Sequence, residues 1–280
     1  MSADFSIVLL FFGVTLISVT AGIIGYFNFL QKKSLIGDAV AHAVLPGIVL
    51  AFLFSGVRES WILLIGAMIA GFLALTAISF LLKHTKLKQD SVIALVMITF
   101  FSLGLTVLSY VQLKPLGNQA GLTDFLFGKI AALSQNDLFF FSVLCSIILS
   151  AVFVTFKIIF GFAFDSSFMR FKGFSGNTWS FFMNVITIII VSIGIQAVGV
   201  VLMSALLILP VTSAKQLTNN RNKLIIWTVC FALFGASFGT FISLYSSQLP
   251  TGPLISMILC TTLFITAVFK RFTLLTKNHG

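Results

Sequence analysis

Charge is scarce in this chain. Charged residues make up 9% of its 280 residues, whereas 59% are hydrophobic and 33 residues are phenylalanine. Soluble domains carry about 25% charged residues, so this composition excludes a soluble globular protein. The alternation of period two that marks the strands of an outer-membrane barrel is absent as well. The sequence therefore predicts an all-α, polytopic integral membrane protein.

Cysteine is also rare, and each of the three cysteines lies alone in an apolar run. No CxxC or Cys/His spacing links them, so neither a disulfide framework nor a zinc site is indicated. The chain also lacks a Ser/Gly/Pro-rich linker and a G-x-x-x-x-G-K-[ST] P-loop, so it cannot hydrolyse ATP with that machinery. We expect a single transmembrane domain over residues 1–280 that is not an enzyme, with any ATP hydrolysis done by a separate partner chain.

Eight apolar stretches are long enough to cross a hydrocarbon core of about 30 Å. The first lacks the basic start and cleavage site of a signal peptide, so we expect a retained helix. The sixth, with 35 residues, is too long for one straight crossing. It is either one long tilted helix or two short helices joined near Gln196–Gly199. The stretches are 5–27, 39–57, 60–82, 92–112, 138–162, 179–213, 224–247 and 252–269.

The positions of Lys and Arg favour two crossings in the sixth stretch, because these residues collect on the cytoplasmic side. With the N-terminus outside and nine spans, all 17 basic residues except Arg58, Lys114 and Lys129 fall on the cytoplasmic side. Nine spans with the C-terminus inside is therefore the preferred prediction, and eight is the alternative. The basic residues lie in short loops at the helix ends, where they can contact lipid headgroups. This explains the net charge of +10 without a nucleic-acid partner.

Two ionisable residues four positions apart, Asp38 and His42, lie where the second stretch begins. A helix places such residues on one face, about 5–6 Å apart, and a carboxylate beside an imidazole suits a divalent cation. A charged group at the bilayer centre costs at least about 2.5–3.5 kcal/mol, so intramembrane ionisable residues are functional candidates. Pro46 tends to kink the helix and to free a carbonyl near His42. The alternative is that Asp38 caps the helix and a neighbouring helix satisfies His42.

A second candidate segment spans about 164–175 and is amphipathic. Asp165 or a serine is predicted to cap a short helix with Phe168, Met169 and Phe171 as its apolar residues and Gly173 as its stop. Such a helix either lies in the headgroup layer or docks into a groove on a partner. In the sixth stretch, Gly199 and its small neighbours suit close helix packing, and Gln196 either lines a pathway or bonds to the backbone of another helix.

The segment Gly37-Asp38-Ala39-x-x-His42-Ala43-Val44-Leu45-Pro46-Gly47 closely resembles the G-D-A-x-S-H-A-V-L-P-G signature of the manganese/zinc/iron ABC-transporter permeases. Ala41 stands where serine is usual, which leaves both expected ligands in place. Met169 replaces the usual alanine in the family's F-D segment. Further segments agree in order and spacing: Leu126-Phe127-Gly128, Phe164-Asp165 with Gly173, Val198-Gly199 through Pro210, and Pro250-Thr251-Gly252-Pro253.

This resemblance implies the ABC-importer permease fold. It also implies a homo- or heterodimer of permease chains, two cytoplasmic ATP-binding subunits and an extracytoplasmic metal-binding protein. Asp38 and His42 match the family's metal-holding pair, so the cargo is expected to be Mn, Zn or Fe, with no permanently bound cofactor. The implied ATPase-coupling residues are Phe164, Asp165, Ser166, Phe168, Met169 and Gly173. The expected packing or pathway residues are Pro46, Gln196, Gly199 and Pro210.

Other functions remain open from the sequence. A permease for a metal chelate such as a siderophore belongs to the same superfamily but has no use for a ligand pair. A secondary, ion-coupled metal carrier would show inverted repeats and more intramembrane carboxylates. A purely structural membrane scaffold would leave the Asp/His pair unexplained.

Overall fold

The computed structural model describes residues 2–57, 59–113, 134–245 and 250–277, with side chains from residue 8 to residue 272. These ranges form eleven α-helices and no strand, which confirms the all-α prediction. The Leu126-Phe127-Gly128 segment lies outside the described residues. The helices are α1 (Ser2–Leu30), α2 (Ser34–Ala43), α3 (Leu45–Ser55), α4 (Ser60–His84), α5 (Gln89–Gln112), α6 (Gln135–Phe164), α7 (Ser166–Phe171), α8 (Gly176–Val198), α9 (Val200–Leu217), α10 (Arg221–Tyr245) and α11 (Thr251–Lys277).

Within these ranges, nine stretches are long and apolar enough to cross a membrane. Eight are single helices, and the ninth consists of α2 and α3 in series, over Ser34–Ser55. The long sixth stretch of the sequence is divided between α8 and α9. In the part of the chain that the structure describes, the helices agree with the prediction of nine spans rather than eight.

Gly199 separates α8 from α9. Its φ of 85° and ψ of 165° form a backbone conformation that is essentially restricted to glycine. The Gly199 N–H donates to the Ile195 carbonyl (3.0 Å), and the Gly199 carbonyl accepts from the Met203 N–H (3.1 Å). One residue therefore ends one helix and begins the next.

The helices α8 and α9 run in opposite directions. Near the start of α8, Lys33 Nζ donates to Ser180 Oγ (3.1 Å). Near its other end, the Gln196 side-chain amide contacts the start of α4. In the amide orientation that gives both its nitrogen and its oxygen a partner, the nitrogen donates to the Ser60 carbonyl (3.1 Å). After α9 the chain has returned to the first end, since the Tyr26 hydroxyl at the end of α1 donates to the Arg221 carbonyl (3.2 Å). The sixth stretch therefore crosses twice.

Lys33, Arg170 and Arg221 lie at one end of the bundle, which we call the basic end. Lys33 and Arg170 line one cavity, and the Arg221 guanidinium lies over the Phe164 ring, 4.2 Å from Cζ to the ring centroid. At the opposite end, a side-chain hydrogen bond of 2.5 Å joins the starts of α4 and α6. These three basic residues thus share one end, as the charge pattern predicts.

The α2–α3 span and α8 form the centre of the fold. In each of them 72% of the apolar span is buried, compared with 28% in α5, α6 and α11. The helix α2 packs against α5, α8 and α9, and α3 packs against α4 and α5. Polar residues on α2 therefore lie among other helices.

Close backbone contacts fix the position of α3. A Cβ at Gly47 would lie 2.1 Å from the Gly66 carbonyl oxygen, and a Cβ at Gly66 would lie 2.4 Å from the Gly47 carbonyl oxygen. The neighbouring Pro46 packs against Gly104 of α5, where a Cβ would lie 2.9 Å from the proline Cδ. These contacts hold the start of α3, and with it the end of α2 that carries His42.

Candidate metal site

Asp38 and His42 lie inside the second span, on α2. This helix begins at Ser34 after Lys33 in the N-cap position, so Asp38 is about 6 Å and His42 about 12 Å along the helix axis from Ser34. The alternative in which Asp38 caps the helix is wrong, because Lys33 occupies the cap position and no side chain caps there. Each of the two side chains remains 27% exposed.

The two side chains face each other without a hydrogen bond. His42 Nε2 lies 3.6 Å from Asp38 Oδ1, beyond the usual range of about 2.7–3.2 Å. The His42 imidazole packs against the Phe101 ring of α5 in a T-shaped arrangement, with centroids 4.9 Å apart. His42 Nδ1 is buried and has no hydrogen-bond partner among the described residues. The alternative in which a neighbouring helix satisfies His42 is therefore not met in this part of the chain.

The separation of the two side chains suits joint ligation of one ion. Zinc lies about 2.0–2.2 Å from imidazole nitrogen and carboxylate oxygen. Ligand atoms 3.6 Å apart would then subtend an angle of about 118° at the ion, close to the tetrahedral value. No group of three or more His, Cys, Asp or Glu side chains that could hold a metal ion occurs within the described ranges. Within those ranges, a single chain therefore has two candidate side-chain ligands at this position, Asp38 and His42.

Pro46 removes a backbone hydrogen bond beside this pair. The helix α2 ends at Ala43, and Pro46 is the second residue of α3. Because proline has no N–H, the His42 carbonyl lacks the donor that residue 46 would supply in a continuous helix. This carbonyl is a candidate oxygen ligand on the same residue as the imidazole.

The other predicted pathway residues shape the helices away from the pair. Gln196 is buried at the end of α8, where its amide also accepts from the Leu64 N–H (3.2 Å) of α4 in the same orientation. Gly199 is the joint between α8 and α9. Pro210 is buried within α9, which continues through it. Gln196 thus bonds to the backbone of another helix, the second of the two roles that the sequence left open.

The segment after α6 forms the short helix α7 at the basic end. Asp165 is its N-cap, and its Oδ1 accepts from the Ser167 and Phe168 N–H groups, both at 2.9 Å. The chain leaves the helix at Gly173, which has a φ of 88°. The predicted cap and stop of this helix are confirmed.

The apolar residues of α7 point in two directions. Phe168 and Phe171 are 52% and 91% exposed, whereas Met169 is only 7% exposed. Met169 packs on Gly161 of α6, where a Cβ would lie 2.6 Å from the methionine Sδ. Met169 therefore anchors α7 to α6 instead of joining its exposed face. Phe171 was missing from the predicted coupling residues, although its spacing of three from Phe168 indicates a shared helix face.

Nine apolar spans within the described residues, packed around a helix that contains an Asp/His pair, are typical of a multi-pass membrane permease. The sequence model of the ABC 3 transport family matches residues 6–271. The chain belongs to this family, which confirms the resemblance drawn from the motifs.

The chain is 35% identical over 260 residues to the zinc transport system membrane protein TroC of Treponema pallidum (strain Nichols), covering 92% of this chain and 86% of TroC. It is 36% identical over 251 residues to the manganese transport system membrane protein MntC of Bacillus subtilis (strain 168), covering 90% of this chain and 57% of MntC. It also resembles the solved structure of PsaBC from Streptococcus pneumoniae in complex with Fab. That match has a TM-score of 0.80 and 27% identity, and it covers 92% of this chain and 89% of the other. The ABC permease fold is thereby confirmed.

Proposed function

We propose that this chain forms the membrane pathway of an ATP-driven importer for a divalent transition-metal ion, namely manganese, zinc or iron. The observation that carries the proposal is the Asp38–His42 pair, two metal ligands 3.6 Å apart in one of the most buried spans. The names of the zinc and manganese relatives support the same class of substrate. The ion is cargo, and the permease needs no permanently bound cofactor.

The donor set suits an ion that must be released. Carboxylate and imidazole without thiolate favour Mn²⁺, Fe²⁺ or Zn²⁺ over Cu⁺. A metal-binding histidine usually donates its other ring N–H to an oxygen, and loss of that support weakens affinity about 10–100-fold. His42 Nδ1 has no such partner in the described part of the chain. Weak binding fits a pathway through which the ion passes.

A second permease chain completes the site in this proposal. The Asp38–His42 pair supplies half of a four-coordinate shell, and the same pair from a second copy or a homologous chain supplies the rest. The His42 carbonyl and water are further sources of oxygen. ATP binding and hydrolysis in the partner subunits then shift the pathway between outward-open and inward-open states.

The basic end faces the cytoplasm in this proposal. Lys33, Arg170 and Arg221 lie there, and the positive-inside rule assigns such an end to the cytoplasmic side. The N-terminus is then outside the cytoplasmic membrane and the C-terminus inside. The opposite end, at the starts of α4 and α6, faces the extracytoplasmic metal-binding protein.

The helix α7 is the contact for two copies of a cytoplasmic ATP-binding subunit, one on each permease chain. Its exposed face presents Phe168 and Phe171, which suit a groove on a protein partner. Met169 ties this helix to α6 at Gly161, and the Arg221 guanidinium holds the adjacent Phe164 ring. Movement of α7 is thereby transmitted to α6 and α10.

Uptake of radioactive manganese or zinc by cells that express the whole transporter tests the site. We expect Asp38→Ala and His42→Ala each to lower uptake at least about tenfold. Loss of a residue that only hydrogen-bonds to a metal ligand already costs about 10–100-fold, so loss of a ligand itself should cost at least the lower value. The matched controls Asp90→Ala and His84→Ala change exposed residues of the same types at the connection between α4 and α5. They should retain nearly full uptake. Normal uptake by Asp38→Ala and His42→Ala, at equal expression, would refute the site.

The same cells distinguish a chelate permease. If the cargo were a metal–siderophore chelate, the chelate would accumulate and compete with the free ion, and Asp38→Ala would retain its uptake. We expect the free divalent ion to be carried and the chelate to have no effect.

A further inference from the structure

A cavity of about 470 Å³ opens at the basic end between α1, α6, α7 and α8. Phe164 and Ser166, two of the expected ATPase-coupling residues, also line it, but the proposed transport mechanism assigns no ligand to it. Its polar side includes Lys33, Arg170 and Ser180. Its apolar side includes Phe162, Trp179 and Met183, which belong to the spanning helices α6 and α8.

Within the described ranges, neither Lys33 nor Arg170 has a carboxylate partner. Lys33 Nζ donates to Ser180 Oγ at 3.1 Å. The Arg170 guanidinium donates within α7, to the carbonyl and hydroxyl oxygens of Ser166 at 3.2 and 3.3 Å. Among the described residues, the one close contact between a carboxylate and a basic side chain is that of Asp38 with His42, on α2 and outside this cavity. Asp165, the carboxylate nearest in sequence to Arg170, caps α7. Burial lowers the pKa of Lys33, as expected for an ammonium group partly removed from water.

The backbone adds to the positive potential of the cavity. Gly176 and Asn177, in the first turn of α8, line the cavity. The N-cap residue Ser175 makes no side-chain hydrogen bond to this turn. Free first-turn N–H groups and the positive end of the helix dipole favour an anion. The same space is therefore bordered by three basic side chains, Lys32, Lys33 and Arg170, and by a helix start.

The apolar wall distinguishes a lipid from a soluble anion. Met183 lies seven residues beyond Gly176, about 10 Å into the span. Trp179 lies one turn into α8, and tryptophan is typical of the headgroup level. Inorganic phosphate would occupy only the polar rim, whereas a phospholipid would occupy both sides. Basic pockets between spanning helices on the cytoplasmic side are known to bind anionic headgroups.

We propose that this cavity binds an anionic phospholipid, with its phosphate between Lys33 and Arg170 and an acyl chain along Phe162 and Met183. The bound lipid would connect the loop before α2 to α7. It would thus touch both the entry to the span that carries Asp38 and the exposed helix of the basic end.

The thermal unfolding of the purified full-length chain in nonionic detergent tests this proposal. A ligand that binds only the folded protein raises its unfolding temperature as its concentration rises. We expect dioleoylphosphatidylglycerol to raise the midpoint, and dioleoylphosphatidylcholine, with the same acyl chains, to have little effect. Inorganic phosphate at equal concentration should also have little effect, because it lacks the apolar contacts.

Variants locate the effect in the cavity. Lys33→Gln and Arg170→Gln should each weaken the apparent affinity for phosphatidylglycerol about tenfold or more, because each removes a hydrogen bond to a charged group. Lys33→Arg keeps the positive charge and should retain most of the affinity. If Lys33→Gln does not fold, Arg170→Gln alone tests the site. Lys86→Gln makes the same charge change at an exposed position between α4 and α5, and it should leave the affinity unchanged.

Several results would overturn the lipid site. These are an equal response to phosphatidylcholine, stabilisation by inorganic phosphate alone, and unchanged affinity in both Lys33→Gln and Arg170→Gln. In the complete transporter, loss of lipid binding when the ATP-binding subunit is present would assign the cavity to a protein interface instead.

Discussion

At the residue scale, the Asp38–His42 pair lacks the features of a structural polar contact. Buried polar groups in folded proteins are normally hydrogen-bonded. Here the two side chains are 3.6 Å apart, and the buried His42 Nδ1 is unpaired within the described residues. An unpaired buried nitrogen costs about 1–3 kcal/mol. A group that lowers stability in the central span is expected to be retained for its function.

Replacing His42 with leucine should therefore separate stability from transport. Leucine removes the unpaired nitrogen, so the free energy of unfolding in detergent should stay equal or rise by up to about 1–3 kcal/mol. Metal uptake, normalised to expression, should be lost. The matched variant His84→Leu changes an exposed histidine at the end of α4 and should retain uptake. A clear loss of stability in His42→Leu would show that the imidazole has a structural role.

The sequence predicts this pair but not its surroundings. The spacing of four between Asp38 and His42 places both on one helix face without further information. The bond from Gln196 to the start of α4 and the contact of Met169 with Gly161 join different helices. Local periodicity does not specify which side of a six-residue helix faces the protein. The sequence therefore listed Met169 with Phe168 and Phe171, although Met169 is buried and the two phenylalanines are exposed.

At the element scale, two interruptions divide the central spans. Val44 and Pro46 break the second span beside His42, and Gly199 reverses the chain between α8 and α9. The sequence predicts the second break, because 35 apolar residues exceed one crossing and a glycine lies in their middle. The one-residue link between α2 and α3 agrees with the predicted kink, because Val44 keeps helical backbone angles (φ −77°, ψ −16°).

Gly199→Ala should destabilise the permease. A side chain at this φ and ψ costs about 1–3 kcal/mol, so the free energy of unfolding should fall by about that amount. Gly176→Ala is the control, because that residue is helical and a Cβ there would lie 3.7 Å from its nearest neighbour. It should be neutral or slightly stabilising. Equal stability of Gly199→Ala and the native chain in detergent would contradict the assigned conformation.

The two faces of α7 should respond differently to substitution. Phe168→Ser together with Phe171→Ser should weaken binding of the ATP-binding subunit at least about tenfold, as for central aromatic residues of an interface, with little change in stability. Met169→Ala should instead lower stability by about 2–5 kcal/mol, because it leaves a cavity against α6. Affinity and unfolding measurements on purified proteins distinguish the two effects.

A control phenylalanine lies at the opposite end of the bundle. Phe54 is 84% exposed at the end of α3, so Phe54→Ser should leave ATPase binding unchanged. If Phe54→Ser weakened binding as much as the α7 double variant, α7 would not be the contact.

At the scale of the whole molecule, composition and charge predict most of the architecture. Long apolar runs predict the spans, and the distribution of Lys and Arg predicts that Lys33, Arg170 and Arg221 share one end. The cavity between Lys33 and Trp179 could not be predicted, because it forms where distant segments meet. The second permease chain and the ATP-binding subunits are inferred from the family resemblance and from the two-ligand Asp38–His42 pair.

Equilibrium binding of Mn²⁺ or Zn²⁺ to the purified transporter, without nucleotide and without the external metal-binding protein, tests the central claim most directly. We predict one ion for every two permease chains, held by nitrogen and oxygen ligands only. Binding should be lost in His42→Ala and retained in His84→Ala. The same stoichiometry and affinity in His42→Ala as in the native transporter would contradict the account.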